Sequence, residues 1–193
     1  MQFHCNDVAQ KAWIALEAAG VPYRMEEISL YGPNGKPDWF WKLNPRGTVP
    51  VLVCHGGDVI HADSDRILDE IGNDVEGGSR IVPKDNVEIE RAQSFRTLLN
   101  EFLPIGKKAV LGGDKKKMWT KLKELDGLIE GPFVCGQDIT VADCAGFPFL
   151  WRIDSEYGPV ENYGCNNIRS WLDTCKSNRA FSKTIQGSWW WWW

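Results

Sequence analysis

Apolar residues return every three to four positions through much of this chain and gather into short extended runs only in its first third. Val8, Ala12, Ala15, Leu16 and Ala19 share one helical face. Gly20 stands where a left-handed C-cap is wanted, and Val21-Pro22 blocks continuation, so a first helix ends there. Tyr23 to Leu30 reads as a strand and Tyr31 to Gly35 as a turn, on its Gly and Pro content. Pro50 to Cys54 is a short apolar run, His55-Gly56-Gly57-Asp58 breaks it, and Val59-Ile60-His61 resumes it, the pattern of a β-hairpin. Asp63 or Ser64 then caps a helix that carries Ile67, Leu68 and Ile71 on one face.

Asn73 to Val87 has no apolar period and holds Gly77, Gly78 and Pro83, which marks a linker at 77–87. Beyond it the helical period holds almost throughout. Ile89, Ala92, Phe95, Leu99, Phe102 and Leu103 form one stripe, and Met118, Leu122, Leu125 and Ile129 form another after the break at Gly112-Gly113. Thr140-Val141-Ala142-Asp143 is a capping box with Asp in place of Glu, and Ile139 is placed to staple onto Cys144. Pro148 falls inside that helix and is expected to kink it. Ile168, Trp171, Leu172 and Cys175 mark a last helix. The chain is thus expected to divide into an α/β unit at 1–76, the linker, and an all-helical unit at 88–193.

Composition narrows the function classes. The 193 residues carry a net charge of −4, and no basic run is longer than Lys115-Lys116-Lys117, so the footprint of a nucleic-acid binder is missing. The apolar stretches are too short for a transmembrane segment. Six cysteines (Cys5, Cys54, Cys135, Cys144, Cys165, Cys175) are scattered with no pair at C-x-x-C spacing, which points to reduced thiols in a cytosol-like compartment. Met1 to Ala9 has no secretory pattern, so a cytoplasmic location is expected, with an organelle left open should residues precede Met1. His4, His55 and His61 have no metal-ligand spacing, and no metal is expected. Trp189 to Trp193, after Gly187-Ser188, reads as a loosely packed end.

A strand, helix, strand unit followed by a hairpin and a helix is the order of a thioredoxin-like sheet. Four stretches add detail to it: Ala9 to Glu17 leading to Gly20-Val21-Pro22-Tyr23, Lys36-Pro37-Asp38-Trp39-Phe40, Asn44 to Leu52 (N-P-R-G-T-V-P-V-L), and Asp63-Ser64. With Asp138 to Cys144 in the second half, the chain resembles the cytosolic glutathione transferases, nearest to their cysteine-type omega and lambda branches. The resemblance implies a thioredoxin-like N-terminal domain followed by an all-α bundle. It also implies glutathione as co-substrate, a small electrophile or disulfide as second substrate, and the dimeric assembly common in the family. The Val49-Pro50 bond is expected to be cis, leaving the Val49 backbone N–H and C=O to pair with the peptide as a one-residue strand addition. Ser64, at a helix start, would hold the γ-glutamyl carboxylate, Asp63 the ammonium group, and Lys36 would reach the bound peptide. An electrophile pocket is expected near Phe102, Met118 and Trp119, residues that by periodicity alone read as core.

The reacting position departs from the family pattern. Counting back from Ala9-Gln10-Lys11, the usual Cys or Ser falls on Asn6 and the following proline on Asp7, while Cys5 sits one residue early. Neighbours on an extended segment point to opposite sides, so Asn6 and Cys5 do not both face the sulfur. A free thiol titrates near about 8.5, and lowering it by roughly two units needs about 2.7 kcal/mol. An Asn6 amide at a helix start offers this through a hydrogen bond of about 1.5–3 kcal/mol to the thiolate. Cys5 would instead form a mixed disulfide and support thiol transfer or dehydroascorbate reduction. The competing class is a catalytically silent glutathione-transferase-like binding module. Only Met1 to Cys5 precede Asn6, so the first strand is abbreviated or residues upstream are missing.

Overall fold

A computed structural model describes residues 7–29, 35–73, 75 and 77–185. Helix α1 (Asp7–Ala19) stops at Gly20, whose φ of +70° carries the chain into a bond from the Val21 N–H back to the Leu16 carbonyl (3.0 Å), as the C-cap pattern predicts. Ala12, Ile14, Ala15 and Ala19 are buried, because α1 lies between α3 (Ser64–Asn73) and α6 (Val141–Tyr157). Residues 21–29 are not a strand, contrary to the sequence expectation. Val21 is buried, but Arg24, Met25, Glu26 and Glu27 are exposed in succession, so the stretch has no second buried position on which a sheet face could rest. Leu30 and the first four residues of the expected turn lie outside the described residues.

A short helix, α2 (Asp38–Leu43), starts after Pro37 and buries Phe40. The hairpin forms as expected from β1 (Leu52–Cys54) and β2 (Val59–His61), antiparallel, with Leu52 opposite His61, Val53 opposite Ile60 and Cys54 opposite Val59. Gly56 and Gly57 turn the corner with positive φ. The segment expected as a linker carries a 3-10 turn at Gly78–Ile81 that buries Ile81 beside α1. A Cβ on Gly78 would stand 1.6 Å from the Ile71 carbonyl oxygen, so only glycine fits this crossing.

The remaining chain is helical: α4 (Asn86–Val110), α5 (Lys115–Asp126), α6, α7 (Asn166–Ser177) and α8 (Arg179–Ser182). Ala92, Phe95, Leu99 and Phe102 are buried, but Ile89 on the same expected stripe is exposed, because the first turn of α4 runs past the core into a cleft beside α3. Helix α6 runs on past Pro148, which is itself buried. Its capping box forms. The Asp143 carboxylate accepts from the Thr140 N–H (2.8 Å) and hydroxyl (3.0 Å), the Val134 N–H (2.8 Å) and the Trp171 indole N–H (2.8 Å). Full burial pushes that carboxyl up, and the four donors pull against it. One buried cluster continues from α1 and α3 through α4 to α7. No described helix is long and apolar enough to cross a membrane.

Candidate functional site

The loop after α2 is braced by Asn44. This buried side chain donates to the Thr48 carbonyl (2.7 Å) and hydroxyl (3.0 Å) and accepts from the Arg46 N–H (3.2 Å), holding N-P-R-G-T in one shape. Gly47 has φ +65°, and a Cβ there would meet the Trp41 ring at 2.5 Å. Lys36 lies over the same ring, its Nζ 5.5 Å from the centroid, so Trp41 brings Lys36 beside the loop that leads into Val49-Pro50. The Val49-Pro50 bond is cis, and among the described residues neither the N–H nor the C=O of Val49 has a hydrogen-bond partner.

The hairpin leads from this bend into the second expected element: β1 starts two residues after Pro50, and β2 ends at His61, two residues before Asp63. Asp63 is the cap of α3. Its Oδ1 accepts from the Asp65 N–H (3.1 Å) and the Arg66 N–H (3.0 Å), while its exposed Oδ2 makes no hydrogen bond among the described residues. Ser64 opens the helix, and neither its N–H nor its hydroxyl is taken up by another described group. The two ends of the hairpin thus carry free backbone groups at Val49 and, at the start of α3, a free hydroxyl, a free amide and one free carboxylate oxygen among the described residues.

Behind this edge lies a polar network that the sequence reading missed. Lys11, on α1, is 2% exposed, and its ammonium meets Asp65 Oδ1 at 3.2 Å and sits 5.1 Å from the centre of the Phe149 ring. Asp65 also accepts from Asn100 (3.4 Å), and its carbonyl accepts from Arg96 (3.3 Å), which pairs with Asp69 (2.7 Å). Helices α1, α3 and α4 are joined at the residue that follows Ser64. A signal existed: Lys11 falls on the apolar stripe between Val8 and Ala15.

The glutathione S-transferase N-terminal domain family matches residues 8–74. Probable glutathione S-transferase DHAR1, cytosolic, of Oryza sativa subsp. japonica is 29% identical over 184 residues, covering 91% of this chain and 82% of that protein. Glutathione S-transferase DHAR2 of Arabidopsis thaliana is 26% identical over 185 residues, with the same two coverages. Residues 8–74 thus match a glutathione transferase N-terminal domain, and the chain is similar over most of its length to glutathione transferases. The crystal structure of glutathione transferase Omega 1C from Trametes versicolor shares its fold, with a TM-score of 0.80 at 20% identity over 96% of this chain and 89% of that one. A thioredoxin-like N-terminal domain and a helical C-terminal domain follow from that likeness, and among the described residues the hairpin β1–β2 is the sheet that forms.

Cys5 and Asn6, the two residues expected at the reacting position, lie outside the described residues, as do His4 and Trp189 to Trp193. The five described cysteines are free thiols unsuited to attack near neutral pH. Burial pushes Cys135 and Cys165 up to about 11 and raises Cys144 and Cys175 further, and burial with the nearby Glu70 raises Cys54. The expected electrophile pocket is corrected in part. Phe102 and Met118 are core, at 1% and 0% exposure, because α4 and α5 turn these faces toward each other. Trp119 is half-buried and stacks on Tyr163. A cleft of about 520 Å³ opens instead between α3 and α4, with Asp65, Asp69, Ile89, Arg96 and Asn100 among its walls. Among the described residues no group of three or more His, Cys, Asp or Glu side chains is placed to hold a metal ion.

Proposed function

We propose that this chain binds glutathione along the Val49-Pro50 bend and activates its thiol for attack on an electrophile or a disulfide. The observation that carries this is that, among the described residues, the Val49 N–H and C=O at the cis bond and the Ser64 hydroxyl and amide at the start of α3 are all unpaired. An extended peptide satisfies the first pair as a strand would, and a carboxylate satisfies the second. Asp63 Oδ2 is left to take the ammonium group, and Lys36, held over Trp41, to reach the peptide.

Asn6 precedes the first residue of α1, where its amide would donate to the thiolate at the positive end of the helix dipole. In conjugation the sulfur forms a bond to the electrophilic carbon, the leaving group departs with its electron pair, and the thiol proton passes to solvent. The competing route uses Cys5. All five described thiols are pushed up, and Cys5, next to the reacting position in sequence, is the cysteine placed to form a mixed disulfide with glutathione. The free thiols suit a reducing compartment, and cytoplasmic placement is the better fit, although two relatives are named as chloroplastic.

Calorimetry with reduced glutathione, followed by turnover of a chlorinated aromatic and of a mixed disulfide, tests the proposal. Binding should weaken about tenfold in Ser64→Ala, the loss of one hydrogen bond to a charged group. Turnover should fall in Asn6→Ala while Cys5→Ser retains it. Loss of disulfide turnover only in Cys5→Ser reassigns the donor. Binding without turnover of either substrate leaves a silent module, and no heat at millimolar glutathione removes the proposal.

A further inference from the structure

The turn between α4 and α5 gathers charge that the glutathione site does not use. From 102 to 123 the chain holds seven lysines and a single acid, Asp114. That acid is engaged as the cap of α5, accepting from the Lys116 N–H (2.9 Å) and the Lys117 N–H (3.3 Å). Lys121 pairs with Glu101 and Glu124. Lys107, Lys108, Lys115, Lys116 and Lys117 are all exposed, and among the described residues none of them forms an ion pair. Three of the five stand in the first turn of α5, where the helix dipole disfavours cations, and among the described residues only Lys115 of the three has a side-chain partner, the Tyr157 ring.

Two further features share this end of the molecule. Leu111, at the tip of the turn, is 75% exposed, more than any other described large apolar side chain. One helical turn beyond Lys115, the half-buried Trp119 stacks on Tyr163 (3.5 Å) and meets Tyr157 edge-on (6.2 Å). Lys115 Nζ lies 5.3 Å from the centre of the Tyr157 ring. An apolar tip thus stands beside exposed cations, with an aromatic cluster about 6 Å further along the helix axis that anchors this end to the body of the protein. A bilayer surface matches the tip and the cations with its acyl boundary and its phosphates.

We propose that the α4–α5 turn docks this protein on an anionic lipid bilayer, with Leu111 entering the headgroup boundary and the five lysines meeting lipid phosphates. Charge complementarity sets the orientation. The chain as a whole is at −4, so an anionic membrane repels the rest of the surface and accepts this end. The inference does not rest on the glutathione reading.

Cosedimentation of the full chain with phosphatidylcholine vesicles, with and without about 30% phosphatidylserine, tests it. Binding is expected to need phosphatidylserine and to disappear by about 0.5 M salt. Each lysine should contribute a factor of about five, so the double variant Lys116→Glu/Lys117→Glu should bind at least about 25-fold more weakly. Acids in the first turn of α5 favour that helix, so the variant's melting temperature should not fall. Leu111→Ser should weaken binding in the same vesicles without changing its salt dependence. The proposal fails on absence of binding to phosphatidylserine vesicles, on equal binding to both vesicle types, or on binding to soluble heparin alone. It fails equally if both variants bind as the wild type does, which would place membrane contact elsewhere on the chain.

Discussion

Lys11 and Asp65 show how unequal the two halves of one ion pair are. The ammonium is 2% exposed and has one carboxylate within reach, whereas the Asp65 side chain is about a third exposed and keeps Asn100 and, at 3.9 Å, Arg96 when Lys11 is gone. Removing the acid strands a buried charge, which costs about 3–5 kcal/mol. Removing the base leaves an acid that water and Arg96 still solvate. Asp65→Asn is therefore expected to destabilise the protein by at least about 2 kcal/mol more than Lys11→Met, as measured by urea unfolding. Equal losses would mean that the pair acts only through packing. The residue scale is also where the sequence was least legible. Lys11 stood visibly on an apolar stripe, but its partner is 54 positions away, and spacing within one helix does not show what lies opposite it.

The elements that could be read from the chain are those whose signals are local. The Gly20 stop, the Gly56-Gly57 hairpin corner and the Thr140 to Asp143 capping box all formed, because each depends on hydrogen bonds among residues within a few positions of one another. Residues 23–29, the described part of the expected strand, did not form it, since a strand is made by its neighbour and the composition of one segment does not supply one. The exposed Ile89 has the same cause, because periodicity fixes a face without fixing what covers it. Gly146 marks a contact between elements that no period reveals. A Cβ there would stand 2.7 and 2.9 Å from two ring atoms of Phe95, whose side chain is fully buried against Trp171, so the approach of α6 to α4 at this point needs a glycine. Gly146→Ala gains about 1 kcal/mol of helix propensity but is expected to lose about 1–3 kcal/mol to overpacking. The melting temperature should fall, and a rise would show that the Phe95 ring has room to yield.

At the scale of the whole molecule, the last described residues fasten the first helix. Gln10 donates to the Thr184 carbonyl (3.3 Å) and hydroxyl (3.1 Å) across a separation of 174 positions, in the buried seam between α1 and α8. One helical turn or two further along α1, Glu17 accepts from Lys183 (2.5 Å) and from the Tyr23 hydroxyl, which itself accepts from the Trp13 indole (2.6 Å). Burial works against the Glu17 charge, but the donors from Lys183 and Tyr23 outweigh it and hold the carboxyl below its ordinary value of 4.5. A carboxyl depressed by folding stabilises the native state above its unfolded value, and this contribution fades as pH falls through the lower folded value. Tyr23 has the opposite sign. Burial and the Glu17 carboxylate raise its hydroxyl above 10.0, so its contribution is complete below that value and fades as pH climbs through the higher folded one. The latch is thus strongest between the two limits. Glu17→Gln should lower stability at pH 7 by about 1 kcal/mol, given the half-exposed Lys183, or about 2–4 °C for a chain of this size. The difference between variant and wild type should shrink toward zero as thermal scans are taken below pH 4.5, where the wild-type carboxyl takes up its proton. A difference that persists unchanged at low pH would assign the effect to side-chain shape and remove the charge of Glu17 from the contact that binds the end of the chain to its beginning.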